Sequence, residues 1–126
     1  MILKKKNLKI ATILPYKENY TIEKASAASL WVSEFFKKSK YKKNNFIYGH
    51  TKSKNFLTSN YKNIKLNNLA SKLRSTTTEY ARKLIKELNI NSYNIIEIHN
   101  RPQLLFKLVK NVKCRYIFYF HNDPLS

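Results

Sequence analysis

Short apolar runs alternate along this chain with amphipathic stretches of helical period, and this alternation limits most strongly what the chain can fold into. The runs cover residues 8–14, 45–49, 93–99 and 115–120 and read as strands. Strands that alternate with helices are joined by right-handed crossovers, which make the strands parallel and put helices on both faces. The sequence therefore predicts one α/β domain, a Rossmann-like open and mostly parallel sheet with helices on both faces. We expect the strands at 95–98 and 116–120 to be parallel and to lie beside one another or nearly so.

Three stretches supply the predicted helices. The first runs from Thr21 to near Lys38, and its apolar residues recur at steps of three and four. The second follows Thr76 and Glu79, which have capping-box spacing, and the third has Pro102 in its first turn. The polar region 50–75 allows only short strands near 56–57 and 64–66. The apolar stripes are Ile22, Ala25, Ala28, Val32, Phe35 and Phe36, then Ala81, Leu84, Ile85 and Leu88, then Leu104, Leu105, Leu108 and Val109.

The charge balance is strongly basic, with 25 Lys and Arg against 7 Asp and Glu and a formal net charge of +18. Such a surface attracts phosphates and anionic lipid. However, 21 of the cations are Lys, Asn occurs 15 times and Gly once. A chain-wide drift toward Lys, Asn, Ile and Tyr would give the same charge without any binding role, so both explanations stay open.

The remaining composition bears on the compartment. The single cysteine, Cys114, cannot form an internal disulfide and is expected to be a buried thiol beside a strand. No apolar run approaches the roughly 18 residues of a membrane span, and the run 10–14 is shorter than a signal peptide needs. We therefore expect a cytoplasmic protein.

Two similar segments follow predicted strands, His99-Asn100-Arg101-Pro102 and His121-Asn122-Asp123-Pro124. In open α/β sheets ligands bind outside the carboxyl ends of strands, where a helix N-terminus can also donate to an anion. The two histidines are expected to be neighbours over a cleft, able to donate, accept or shuttle a proton. The alternative is that His and Asn cap the following turn and Pro sets its geometry. No metal-ligand spacing is present, and no metal site is expected.

These segments, with residues 9–15, 17–20, the helix start around Ala27, 93–102 and 119–125, give the chain a resemblance to a known family. It resembles the amino-terminal domain of bacterial family 4 glycosyltransferases with the GT-B fold. The resemblance implies that residues 1–126 are a truncated amino-terminal domain on the acceptor side, without the carboxy-terminal domain that binds the donor. Ser26 stands where relatives usually have a glycine, which departs from the family pattern.

The resemblance also implies the site residues and partners. His121 would be catalytic, near the transferred sugar, and the substrate-binding residues would be Glu18, His99, Asn100, Arg101, Asn122 and Asp123. The partners would be a nucleotide-sugar donor, bound through the absent domain, and a glycan or lipid-linked acceptor of cell-envelope polysaccharide such as lipopolysaccharide. No cofactor is implied, and the acceptor suggests a peripheral position at the inner, anionic face of the membrane. The chain alone is expected to be inactive, because catalysis requires both substrates to be positioned together.

Two other functions stay open. The charge and the aromatic residues are compatible with a nucleic-acid-binding module, but the cations are scattered and no helix-turn-helix, zinc or RNP-like motif is present. No specific nucleic-acid partner is therefore expected. The other alternative is an inert, truncated fragment whose cleft is never completed.

Overall fold

The computed structural model describes residues 8–16, 18–40, 42–52, 54–66 and 76–119. Five strands and three α-helices lie in these ranges, with one short 3₁₀ turn at Lys42–Asn44. Their bounds are β1 Ile10–Ile13, α1 Ala27–Lys38, β2 Asn45–Gly49, β3 Tyr61–Asn63, α2 Thr76–Asn91, β4 Ile95–His99, α3 Pro102–Asn111 and β5 Arg115–Tyr119.

The five strands form a single parallel sheet in the order β3-β2-β1-β4-β5. The chain builds outward from β1 to β3 on one side, then crosses over and builds outward from β4 to β5 on the other. The direction in which the chain adds strands therefore reverses between the neighbouring strands β1 and β4, and the carboxyl ends of these two strands mark the topological switch point of the sheet. The predicted α/β class is confirmed, and so is the parallel pairing of β4 with β5.

One face of the sheet carries the main apolar core. Ala11, Ile13, Ile96 and Ile98 point to this face, since alternate residues of a strand share a face. They are covered by α2 and α3 through buried leucines, namely Leu84, Leu88, Leu104 and Leu108. Both helices are amphipathic with the predicted period. The second stripe packs on the sheet as predicted, whereas Val109 of the third stripe is 50% exposed.

The other face is covered by α1 and has a smaller core. Val32 of α1 packs there with Leu14 and Ile47, and Phe36 adds partly buried surface. Tyr20 and Tyr61 complete this core, and the face also buries four polar residues, namely Thr12, Asn45, Glu97 and His99. Every helix that the sequence predicted is present, and helices lie on both faces of the sheet.

The first helix begins later than predicted, at Ala27 rather than near Thr21. Ser26 is its N-cap, and its Oγ accepts a hydrogen bond from the Ser29 N–H at 3.1 Å. Residues 20–22 bond instead to the segment 51–57, through Tyr20 N–H to Thr51 Oγ1 at 3.0 Å and Ile22 N–H to the Asn55 carbonyl at 3.1 Å. Thr21 also forms an isolated antiparallel bridge with Phe56.

Three residues of the predicted first stripe lie outside the core. Ile22 and Ala25 precede the helix, and Ile22 is 72% exposed. Phe35 is 48% exposed because α1 turns Val32 and Phe36 toward the sheet. Thr76 is the first helical residue of α2 rather than its cap, and Glu79 binds Arg82. The third strand is Tyr61–Asn63, not 64–66, and Phe56 forms only the bridge. Cys114 is half-buried just before β5.

Candidate functional site

A cavity of about 400 Å³ lies at the switch point, outside the carboxyl ends of β1 and β4. We call it the switch-point cavity. Tyr16 follows β1, Arg101 follows β4, and the other residues belong to the first two turns of α2 and the first turn of α3. Its lining consists of Tyr16, Thr76, Thr77, Tyr80, Arg101, Gln103 and Leu104. The parallel sheet therefore brings together segments that are far apart in the sequence.

The backbone after β4 has an unusual conformation at Asn100 and Arg101, which sets the positions of the following cavity residues. Asn100 and Arg101 have positive φ angles of 58° and 64°, in the left-handed region that non-glycine residues seldom adopt. The Asn100 N–H donates to the Tyr119 carbonyl at 2.8 Å, which holds the turn against β5. Two successive left-handed residues reverse the chain sharply, so that α3 can start at Pro102. Such strain is often kept at ligand sites.

The first turn of α3 offers mainly side chains to the cavity. Pro102 has no N–H, and the Leu104 N–H is bonded to the Arg101 carbonyl at 3.0 Å. The guanidinium of Arg101 and the amide of Gln103 line the cavity instead. Both side chains are exposed, so a ligand could reach them without displacing the core.

Aromatic rings form the inner wall. The Tyr80 hydroxyl donates to the Leu14 carbonyl at 2.6 Å, and burial raises the pKa of this phenol well above its usual value. The Tyr16 ring lies 6.0 Å from the Tyr80 ring and stacks on His50 at 5.2 Å between centroids. The wall is thus held by the strand ends themselves.

His50, which directly follows β2, adds a polar group beside this wall. Its Nδ1 lies 2.7 Å from the Ile64 carbonyl, and a carbonyl can only accept, so Nδ1 donates. In the neutral ring Nε2 then carries the free lone pair and can accept a hydrogen bond. His50 is therefore a second histidine at the carboxyl edge, in addition to the predicted His99.

The structure separates the predicted site residues. Arg101 lines the switch-point cavity, and Asn100 is half-buried in the turn that precedes it. Glu18 lies in a turn after β1, where its N–H donates to the Pro15 carbonyl at 3.2 Å, and it does not line this cavity. His121, Asn122 and Asp123 lie outside the described residues. Their predicted roles, catalytic for His121 and substrate-binding for the other two, stay predictions.

His99 occupies a different position from the one expected of a residue that lines the cleft. It points to the α1 face, where only 1% of it is exposed. Its ring stacks on Tyr119 with 4.8 Å between centroids, and Trp31 of α1 covers both at 5.4 Å. A substrate could touch the imidazole only if the side chains that cover it moved aside. The substrate-binding role of His99 stays a prediction.

Glu97 lies two residues before His99 on the same face and is only 7% exposed. Burial raises the pKa of its carboxyl, an effect opposed by hydrogen bonds from the hydroxyls of Tyr119 and Thr12. The Thr12 hydroxyl lies 3.3 Å from Glu97 Oε1 and 3.1 Å from Asn45 Oδ1. Because a hydroxyl has a single proton, it can donate fully to only one of these oxygens at a time.

Some residues at this edge were not predicted although the sequence carried a signal for them. His50 directly follows β2, as the predicted site residues follow β4, so the same rule would have selected it. Tyr16 follows Leu14 and Pro15 just after the first strand. Thr76, Thr77 and Gln103 had no such signal, because only the packing of α2 beside α3 brings them to the edge.

Within the described parts of the chain, no three His, Cys, Asp or Glu side chains are grouped so that they could hold a metal ion. Over the same residues no helix is both long and apolar enough to cross a membrane. Comparison with protein families, curated proteins and solved structures finds no match to this chain.

Proposed function

We propose that this chain forms the acceptor-side domain of a two-domain glycosyltransferase of the family 4 kind. The transferred sugar would come from a nucleotide-sugar donor held by a second domain and would pass to a glycan or lipid-linked acceptor. The observation that carries the proposal is the switch-point cavity, whose polar lining suits a polyhydroxyl ligand. The two histidine segments of the sequence support it independently.

The chemistry of the lining favours a sugar over a purely apolar ligand. Thr76 and Thr77 carry hydroxyls and Gln103 an amide, so each can both donate to and accept from sugar hydroxyls. The Tyr16 ring offers an apolar surface to the C–H groups of a pyranose. Arg101 could bind an acidic sugar or a phosphate in a bidentate manner. A cavity of about 400 Å³ is at the small end of the range for ligand sites.

The site supports binding and orientation of an acceptor more than it supports complete catalysis. A donor domain would close over the carboxyl edge and bring the nucleotide sugar toward the acceptor, which supplies the positioning that transfer needs. We expect no transferase activity from the 126-residue chain alone. A cytoplasmic location at the inner face of the membrane would give this domain access to lipid-linked acceptors.

Saccharide binding to the purified chain tests the proposal. Acceptor-like oligosaccharides, neutral and acidic, should shift the NMR resonances of Tyr16, Thr77 and Gln103 in a titration. Gln103→Ala should weaken binding several-fold, and so should Arg101→Gly, in which glycine tolerates the positive φ. Lys110→Ala, near the opposite end of α3, is the matched control and should leave the affinity unchanged. The absence of any shift across a panel of saccharides at millimolar concentration would contradict the proposal.

His121 is the residue to which the resemblance assigns the chemical step. In the complete enzyme, His121→Ala should lower turnover on the order of 10²-fold, because a positioned polar catalytic group is lost. The melting temperature should change little. Loss of about 1 kcal/mol of stability with unchanged turnover per folded molecule would show that His121 only closes a turn. His99→Ala, measured in parallel, asks whether the similar segment shares this role.

A further inference from the structure

A second concave site lies along the other side of α2, between this helix and the β2–β3 edge of the sheet. Its volume is about 380 Å³, and among the described residues it shares no lining residue with the switch-point cavity. Its described lining includes five cations, namely Lys62, Lys65, Arg82, Lys83 and Lys86, and one carboxylate, that of Glu87. We call it the cationic groove.

The fold itself brings these cations together. Lys62 lies on β3, with its Nζ 5.0 Å from the centroid of the Phe46 ring and 5.8 Å from that of Tyr48. Lys83 on α2 donates from its Nζ to the Lys65 carbonyl, which ties the helix to the segment after β3. Lys86 follows one turn after Arg82 on the same helix. Local sequence does not dictate the cluster, because β3 and α2 are brought together only by the folded chain.

The positive charge of the groove is only partly neutralised by the described residues. Arg82 is paired with Glu79 through two hydrogen bonds, of 2.7 Å from Nη2 and 3.1 Å from Nε, and keeps further N–H donors. Within the described ranges, none of the four lysines has a carboxylate oxygen within 4.0 Å. Ammonium groups gathered around a concavity repel one another, and a bound anion would relieve that repulsion.

The floor of the groove strengthens this effect. Tyr48 and Ile64 line it and are buried within the apolar core, so the cations stand beside a region of low dielectric. The Tyr48 hydroxyl is already hydrogen-bonded to that of Tyr93 at 2.6 Å. Field lines in such a cleft are focused, and an anion is held more strongly than on a flat lysine-rich surface. A compact, multiply charged anion fits this arrangement best.

We propose that the cationic groove binds a phosphate ester, carried by a soluble small molecule or by a lipid headgroup. Lysines supply point charges for the phosphate oxygens, and the free N–H groups of Arg82 add directed donors. The tyrosine and isoleucine floor accommodates the apolar part of the ester. This site does not depend on the glycosyltransferase proposal, because it uses different residues.

Pyrophosphate is the first probe, measured by calorimetry against the 126-residue chain at 0.1 M salt. We expect saturable binding that weakens as salt rises, because the contacts are electrostatic. Lys62→Gln, Lys65→Gln and Lys86→Gln together should weaken the affinity by at least about tenfold, each lost charge removing part of the attraction. Replacing the same three lysines by Arg should retain binding. Lys83 is left unchanged because it bonds the Lys65 carbonyl.

The matched control removes the same charge elsewhere. Lys24, Lys52 and Lys113 are exposed and lie outside the groove, and their joint replacement by Gln should change the affinity less than about twofold. Equal losses in the two triple variants would overturn the proposal, since net charge alone would then explain binding. So would the absence of pyrophosphate binding at millimolar concentration. Circular dichroism and melting temperature confirm that each variant is folded.

Vesicles separate the two sources of the phosphate. Binding to phosphatidylcholine vesicles that contain phosphatidic acid, lost in the groove variant and competed by pyrophosphate, would assign the site to a lipid headgroup. Pyrophosphate binding without vesicle binding would assign it to a soluble phosphate ester. Vesicle binding that survives in the groove variant but falls in the control variant would contradict the proposal.

Discussion

The two faces of the sheet have the same backbone and very different chemistry. Under α2 and α3 the sheet presents Ala11, Ile13, Ile96 and Ile98, whereas under α1 the same strands present Thr12, Glu97 and His99. Neighbouring residues in one strand therefore alternate between the apolar core and the buried polar network. The apolar face gains stability from the removal of surface from water, and the polar face must satisfy every group that it buries.

The polar face meets this requirement. Throughout the described segments, no buried side-chain nitrogen or oxygen is left without a hydrogen-bond partner. The face is also less completely covered, because α1 alone of the three described helices packs on it. Phe35, Ile95 and Ile117 line an apolar groove of about 500 Å³ near β4 and β5. The comparison indicates that the fold is stabilised mainly from one face, while the other accommodates a polar network with little gain.

The largest effect is expected on the apolar face. Leu84 is fully buried between α2 and the sheet, so Leu84→Ala should lower the free energy of unfolding by about 3 kcal/mol through lost transfer energy and a residual cavity. Urea denaturation measures this change. Ile90→Ala is the control, since Ile90 lies on the same helix and is 67% exposed. This substitution should lower the free energy of unfolding by less than about 0.5 kcal/mol. Similar losses in both variants would show that packing of α2 against the apolar face does not set the cost.

A smaller effect is expected from the polar face. Thr12→Val keeps the shape of the side chain but removes the hydroxyl that is within hydrogen-bond distance of Asn45 and Glu97. We expect the free energy of unfolding to fall by about 1.5 kcal/mol. Ile13→Val, one residue further on and on the apolar face, should cost about 1 kcal/mol. If Thr12→Val is neutral or stabilising in chemical denaturation, the polar network contributes nothing to stability.

The smallest effect is a change of stability with pH. Burial raises the pKa of Glu97, so its carboxyl favours the folded state when protonated. The stability it supports is complete below the ordinary pKa of glutamate and is lost as pH rises through the higher folded value. Between pH 4 and 7 the wild type should therefore lose more stability than Glu97→Gln. Identical pH profiles would show that Glu97 titrates normally.

Much of the fold was predictable because its signals are local. The runs around β1, β2, β4 and β5 and the stripes of α2 and α3 have the expected periods, and all became the predicted elements. The start of α1 was not predictable, since Ile22 continues the helical period and only bonds to 51–57 pull its segment away. The strand β3 was missed because Tyr61 is recognisable as a strand residue only when paired with Ile47.

The location of the candidate site could be predicted from the sequence, but the set of residues that line it could be predicted only in part. The rule that ligands bind beyond the carboxyl ends of strands led to Asn100 and Arg101, and the structure places both at that edge. The same rule could not tell that His99 faces α1. Because alternate residues of a strand share a face, His99 must lie on the same face as Glu97. Which helix covers that face depends on the side of the sheet on which the crossover after β1 passes.

The sequence by itself determined the alternation of strands and helices, the parallel class of the sheet and the edge at which polar residues gather. These follow from periods of two and 3.6 residues and from the handedness of crossovers, which are local properties of the chain. Only the tertiary structure decided the order β3-β2-β1-β4-β5, the burial of His99 under Trp31 and the grouping of Lys62 with Lys86. These depend on contacts between residues distant in the sequence, whose energies are set by packing and solvent exclusion and leave no periodic signal.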